Sequence, residues 1–143
     1  MIRALADGDF EQWLPLWRGY LRFYRAEVSD EVTAVTFARL AGRTDGLAGL
    51  VATGERGELT GLAHLVFHPS TWSAGPYCYL EDLFVAPAAR GTSTARDLLE
   101  AAFAEAASRG AERTYWQTQE FNGAARSLYD QVAHPTSFVT YER

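Results

Sequence analysis

The stretch from Tyr79 to Gly110 constrains the fold more than any other part of this chain. It reads as a strand, a tight turn and a long helix in immediate succession. Tyr79, Leu80, Leu83, Phe84 and Val85 are residue types at home on a pleated surface. Pro87 stops that strand, and the small residues after it make a short turn. Ala95, Leu98, Leu99, Ala102, Phe103 and Ala106 then recur at helical spacing, with Arg96, Asp97, Glu100 and Glu105 mostly opposite. Gly110 stands where such a helix ends.

A strand that runs through a glycine-containing turn into a helix favours an anion. The first amides of a helix lack internal partners, and the helix dipole adds positive potential there. Arg90, Gly91, Thr92, Ser93 and Thr94 add a guanidinium, an unhindered backbone and hydroxyls at that point. An ordinary capped helix after a β-turn is the commoner meaning of such a pattern. Glu81 and Asp82, just upstream, shift the balance. Neighbours on a strand point to opposite faces, so a sheet covered on both sides cannot bury both carboxylates cheaply. At least one is expected to open into a cleft beside the turn.

With 143 residues the chain is expected to form one domain, residues 1–143, able to bury about two-thirds of its unfolded surface. A net charge of −5 without any basic stripe argues against a nucleic-acid partner and suits a cationic small molecule. The single cysteine, Cys78, excludes an internal disulfide framework and agrees with a reducing compartment. No apolar run reaches membrane length, and Met1-Ile2-Arg3 leads straight into strand-like sequence without a signal peptide, so a cytoplasmic protein without membrane partners is expected.

In chain order, residues 1–5 read as a short strand, and Asp9 with Gln12 as the cap of a first helix. Phe10, Trp13, Leu14, Trp17, Tyr20, Leu21 and Tyr24 share one face of that helix, which Pro15 is expected to kink or restart. Tyr20, Phe23 and Tyr24 at its end are candidates to line a pocket. Ser29 opens a second helix through Val32, Val35, Thr36 and Leu40, ending around Gly42. Residues 47–53 and 58–68 form a hairpin around Gly54-Glu55-Arg56-Gly57, and Gly61 marks a bulge or a close backbone approach. His64 and His68 share a strand face, well apart and with no third ligand evident, so no metal site is expected. The loop 69–76 carries Trp72, a candidate cover for the cleft. Residues 113–118 read as a strand, Asn122 caps a last helix with Ala125, Leu128, Tyr129 and Val132 inward, and residues 137–142 finish as a strand.

The segment Arg90-Gly91-Thr92-Ser93-Thr94-Ala95 resembles the acetyl-CoA-binding pattern Arg/Gln-x-x-Gly-x-Gly/Ala of the GNAT superfamily of N-acetyltransferases, with Ser93 where the pattern has Gly. Asn122-Gly123-Ala124-Ala125-Arg126-Ser127-Leu128-Tyr129 is similar to the family's Asn-x-x-Ala-x-x-Leu-Tyr segment. Ser137-Phe138 stands in place of its usual Gly-Phe, after a longer turn through His134-Pro135. The two motifs lie in the right order on the expected elements, and the resemblance spans nearly the whole chain. It implies an α/β (α+β) fold: a single domain with a mixed central sheet, helices on both faces and the order β-α-α-β-β-β-α-β-α-β.

The resemblance also implies an activity, the transfer of an acetyl group from acetyl-CoA to a primary amine. It places cofactor contacts at Leu83, Phe84, Val85, Arg90, Gly91, Thr92, Ser93, Thr94, Ala95 and Asn122, with a β-bulge near residues 83–85 that frees backbone groups. Catalytic roles fall to Glu81, as proton acceptor or as orienter of the amine, and to Tyr129, facing the CoA sulfur. Tyr24, Trp72 and Glu81 are the expected acceptor contacts. The run Tyr79-Leu80-Glu81-Asp82-Leu83-Phe84-Val85 after Trp72 looks most like the diamine and polyamine branch, whose substrates are small cations. A homodimer is a family expectation. The alternatives are a non-catalytic acyl-CoA-binding module and an acetyltransferase for amino acids or protein amino groups. Transfer through an acetyl-cysteine at Cys78 is a further possibility, disfavoured because no activating base lies near it in sequence.

Overall fold

An almost unbroken apolar run from Leu59 to Phe67 marks a strand covered on both faces, and the rest of the molecule is arranged around it. In the structure, a computed structural model describing residues 1–143, this is β3 (Leu59–His68). It lies at the centre of a sheet with β1 (Ile2–Ala4), β2 (Leu47–Thr53), β4 (Tyr77–Val85) and β5 (Arg113–Tyr115), in the order β1-β2-β3-β4-β5. The β4–β5 pair is parallel and the others antiparallel. Alternation along β3 divides the core. Leu62 faces a layer with Trp13, Trp17, Phe37 and Leu40, supplied by α1 (Phe10–Phe23) and α2 (Asp30–Gly42). Ala63 and Leu65 face Leu98, Leu99, Ala102 and Ala106 of α3 (Thr94–Ser108), with Leu128, Tyr129 and Val132 of α4 (Gly123–Val132) packed at the margin. The expected mixed sheet with helices on both faces is present, and no helix is long and apolar enough to cross a membrane.

Several local expectations hold. The Ser29 hydroxyl caps α2 through the Val32 amide, and Asn122 caps α4 through the Ala125 amide. Gly61 sits beside a register shift of the β2–β3 hairpin, and a Cβ there would lie 3.0 Å from the Phe84 carbonyl.

Other expectations are corrected. The last strand is absent: residues 133–143 form no regular element, because the sheet ends at the three-residue β5, itself shorter than the expected 113–118. Phe138, Val139 and Tyr141 are consequently exposed. Asp9 does not cap α1; it sits in a short 3-10 turn, where its carboxylate accepts from the Ala6 amide and the Arg3 guanidinium. The hydrogen bond from Arg3, above all, holds that carboxyl below its ordinary value. Gln12 instead accepts from the Leu59 amide and ties α1 to β3. Pro15 lies inside a continuous α1 and does not restart it. On α2 the inward stripe is Thr33, Phe37 and Leu40, with Val32 and Val35 exposed. Phe37 decides that rotation, since its ring packs between Phe10 and Trp13.

Two features of β4 position everything that follows. Opposite β3 the register runs Ala63↔Leu83, His64↔Asp82 and then Leu65↔Leu80, which makes Glu81 the extra residue of a bulge. Toward β5, pairing covers only residues 77–79, so the outer edge of β4 is open from Leu80 to Val85.

Candidate active site

The turn after β4 is a cradle of unpartnered amides. Pro87–Ala89 form a short 3-10 turn, Gly91 takes φ +76°, and α3 starts at Thr94. That left-handed φ is cheap for glycine and turns the chain sharply into the helix. The backbone N–H groups of Gly91, Thr92, Ser93, Ala95 and Arg96 donate to no protein acceptor. Their concentration at a helix N-terminus suits an oxyanion such as a pyrophosphate.

The side chains here behave differently from the sequence expectation. Thr92 Oγ1 donates to the Ala89 carbonyl and lies 2.9 Å from Thr94 Oγ1, and the Ser93 hydroxyl donates to Asp97 Oδ2 at 2.8 Å. These hydroxyls brace the turn, so any anion there would meet backbone first. Arg90 folds back, its Nε donating to the Val85 carbonyl at 3.1 Å and its guanidinium 5.5 Å from the Phe84 ring centroid. Ala95 stands in the first turn of α3.

Upstream, the open edge of β4 exposes backbone. The Ala86 amide donates to Thr60 of β3, so alternation directs the polar groups of Phe84 to β3 and those of Leu83 and Val85 outward. Phe84 therefore differs from its neighbours. Its backbone is paired inward, and its ring is buried against Gly19 and Tyr20 of α1. The bulge lies at Glu81, two residues before the expected region, although the open edge does cover residues 83–85.

Glu81 is exposed in that bulge, yet its carboxyl is raised above its ordinary value, chiefly by the loss of water around it and then by the charge of Asp82. Tyr20 reaches over it from α1, its hydroxyl 3.5 Å from the Glu81 carbonyl oxygen. Burial, followed by the charge of Asp82, raises the phenols of Tyr20 and Tyr24. Tyr24 ends α1, half-exposed and 5.0 Å ring to ring from Tyr20. Tyr129 projects from α4 and packs edge-on against Trp116 at 5.4 Å. Burial, above all, pushes its phenol up to about 12. Asn122 is committed to its cap.

Trp72 is not part of this cluster. It is 82% exposed and lines an open groove of about 1020 Å³ with Tyr77, Arg113, Tyr115 and Tyr129. Tyr77 begins β4, about 13 Å of strand before Glu81. Cys78 is fully buried beneath α3 and its thiol is pushed up to about 11 by burial, which makes it a poor nucleophile.

The sequence reading overlooked His64, considered only as a metal ligand. It is 2% exposed; Trp13 Nε1 donates to its Nε2 at 3.0 Å, and its Nδ1 lies 2.8 Å from Asp82 Oδ2. A polar residue inside the apolar run of β3 was the available signal, since burial demands a partner. The indole N–H of Trp17, whose ring lies 5.4 Å from that of His64, has no acceptor in the protein. His68 is separate and meets the Tyr115 hydroxyl.

The open edge of β4 and the free amides at the start of α3 adjoin each other along one stretch of chain, with the Glu81 bulge just upstream. The chain belongs to the acetyltransferase (GNAT) family, whose pattern it matches over residues 11–133. It is similar to the D-amino-acid N-acetyltransferase HPA3 of Saccharomyces cerevisiae, with 34% identity over 144 residues that cover 100% of this chain and 89% of that protein. The uncharacterized N-acetyltransferase YhfO of Bacillus subtilis is 35% identical over 142 residues, covering 98% of this chain and 94% of YhfO. Among solved structures, AAC(6')-Iy in complex with a CoA-S-monomethyl-acetylneamine bisubstrate analog has the same fold, with a TM-score of 0.85 at 20% identity over 100% of this chain and 96% of that one.

Proposed function

We propose that this acetyltransferase moves the acetyl group of acetyl-CoA directly to a primary amine of a small cationic molecule, with diamines and polyamines as the favoured class. The observation that carries the reading is the pair Glu81 and Asp82 at one bulge, walled by Tyr20, Tyr24 and Tyr79. Adjacent carboxylates and aromatic faces suit an alkylammonium chain.

Acetyl-CoA supplies an activated thioester. The amides of Gly91, Thr92, Ser93, Ala95 and Arg96 would hold its pyrophosphate, and the outward backbone of Leu83 and Val85 would pair with its pantetheine arm. An outward amide on that edge also donates to the carbonyl that gains charge. An alkylamine with a reference pKa near 10.4 costs about 4–5 kcal/mol to hold neutral at pH 7. Glu81, its proton affinity raised by burial, takes that proton directly or through water. The C–N bond then forms as the C–S bond breaks, and the sulfur leaves with the electron pair. The remaining extra proton on the nitrogen passes to the departing thiolate, directly or through water, to give free CoA thiol. Tyr129 donates a hydrogen bond to the departing sulfur; a phenol at about 12 is too weak an acid to surrender its proton fully.

A second reading has an amino-acid acceptor. It is supported by the 34% identity to a D-amino-acid N-acetyltransferase and by Arg113, stacked on Tyr77 and Tyr115 without a carboxylate partner. Thiol release from acetyl-CoA, measured with linear diamines, polyamines, D- and L-amino acids and an aminoglycoside, tests both. The highest kcat/KM on a polyamine is expected. Turnover confined to amino acids would favour the second reading, and turnover confined to neutral acceptors would remove both.

A further inference from the structure

His64 has no role in the transfer as derived above, yet it is buried with both ring nitrogens engaged. The Trp13 indole can only donate, so His64 Nε2 must accept and carries no hydrogen. The ring hydrogen is then on Nδ1, and it points at Asp82 Oδ2, 2.8 Å away. An imidazolium would set two N–H groups against each other in a place closed to water. Ring contacts at 5.9 Å from Trp13 and 5.4 Å from Trp17 fix the imidazole in its plane.

The bulge explains how Asp82 comes to receive this bond. Cys78 and Leu80 face α3, and strict alternation would place Asp82 beside them. The extra residue at Glu81 reverses the phase, so Asp82 lies opposite His64 on the α1 side and Leu83 and Val85 return to the α3 side. Glu81 and Tyr79 on β4, His64 on β3, and Tyr20 and Tyr24 on α1 are the titratable groups around the Asp82 carboxylate.

We propose that His64 is a positioning residue for the acceptor: held by Trp13 as the Nδ1–H tautomer, it donates to Asp82 and fixes that carboxylate as the anionic anchor of the amine, which leaves Glu81 free to take the proton. The inference rests on the cationic-amine reading given above. It divides the labour of two adjacent carboxylates. The one clamped from behind binds, and the one at the bulge, without a side-chain partner of its own, moves the proton.

The test joins a spectroscopic and a kinetic measurement on the full chain. Long-range 15N–1H NMR of the parent should show His64 with a protonated Nδ1 and a bare Nε2. His64→Leu should raise the KM of the best cationic amine about tenfold or more while the acetyl-CoA KM stays within about twofold. His64→Asn, whose amide can donate from near the Nδ1 position, should recover the amine KM to within about threefold of the parent. A protonated Nε2, an unchanged amine KM in His64→Leu, or an equal rise in both KM values would overturn the proposal. Should His64→Leu fail to fold, the tautomer and the His64→Asn kinetics decide alone. A parent that turns over no cationic amine refutes the acceptor reading instead, and the tautomer still reports on the clamp.

Discussion

The two ends of the second half of β4 reach functional geometry by opposite routes. The turn after Val85 is built from consecutive residues. Gly91 bends the chain, α3 begins, and five successive or near-successive amides are left free because a helix cannot satisfy its own first turn. The bulge at Glu81 is built from distant ones: β3 supplies His64, and α1 supplies Trp13, Tyr20 and Tyr24. The first region needs only local backbone conformation. The second exists only when the register of β3 against β4 is correct. A site made of contiguous backbone tolerates side-chain change, whereas one assembled across register is sensitive to single atoms.

The largest expected effect is therefore at the bulge. Glu81→Gln keeps the side-chain volume and removes the proton acceptor, so kcat/KM on the best amine should fall about a hundredfold or more. In the parent, activity should rise with pH through a limb lying above the ordinary carboxylate range, because burial and Asp82 favour the protonated form of Glu81. Glu81→Gln should lose that limb. A variant with parental activity and an unchanged pH profile would end the comparison, since the bulge would then be no more sensitive than the turn.

At the turn, Arg90→Glu probes charge rather than contact. Arg90 now donates to the Val85 carbonyl, and its replacement removes that bond and places a carboxylate beside the free amides. CoA affinity by calorimetry should weaken about tenfold, roughly 1.4 kcal/mol, with amine KM little altered. An unchanged affinity, with the fold intact, would remove the turn as the pyrophosphate site.

Between the two stands Tyr129, on the α4 side of the open edge. Tyr129→Phe should lower kcat about tenfold and leave the acetyl-CoA dissociation constant alone, because the hydrogen bond it offers matters only as charge grows on the departing sulfur. With its phenol at about 12, Tyr129 should contribute no alkaline limb below pH 10. If binding fails while turnover is preserved, its edge-on contact with Trp116 is its purpose.

The same contrast decides what could be read from the sequence. The strand–turn–helix unit, the Ser29 and Asn122 caps and the β2–β3 hairpin were all legible, because each depends on neighbours within a few residues. The bulge was expected two residues late, since one inserted residue flips every later side chain and leaves no local mark. His64 was set aside because its partners are 51 residues before it and 18 after it in sequence. The last strand was misjudged for a related reason: Phe138, Val139 and Tyr141 have strand-like side chains, but a strand also needs an edge to pair with, and β5 offers only three residues.

The smallest expected effect tests whether the turn is limited by its own side chains. Asp97 lies in the first turn of α3 and accepts from the Ser93 hydroxyl, so a built-in carboxylate already shares the positive potential at which an incoming anion would aim. Removing that charge has two consequences of opposite sign. The helix loses an N-terminal acid worth about 0.3–1 kcal/mol, a slight decrease in melting temperature. The cradle loses a repulsion of similar size, so Asp97→Asn should bind CoA about two- to threefold more tightly, by calorimetry at low salt, and the gain should shrink as salt screens it. Ser93→Gly should be tolerated and produce a smaller gain, because it frees the Asp97 carboxylate to swing toward water without removing it. If Asp97→Asn weakens CoA instead, the Ser93–Asp97 brace is what holds the amides in place, and the turn depends on its side chains after all.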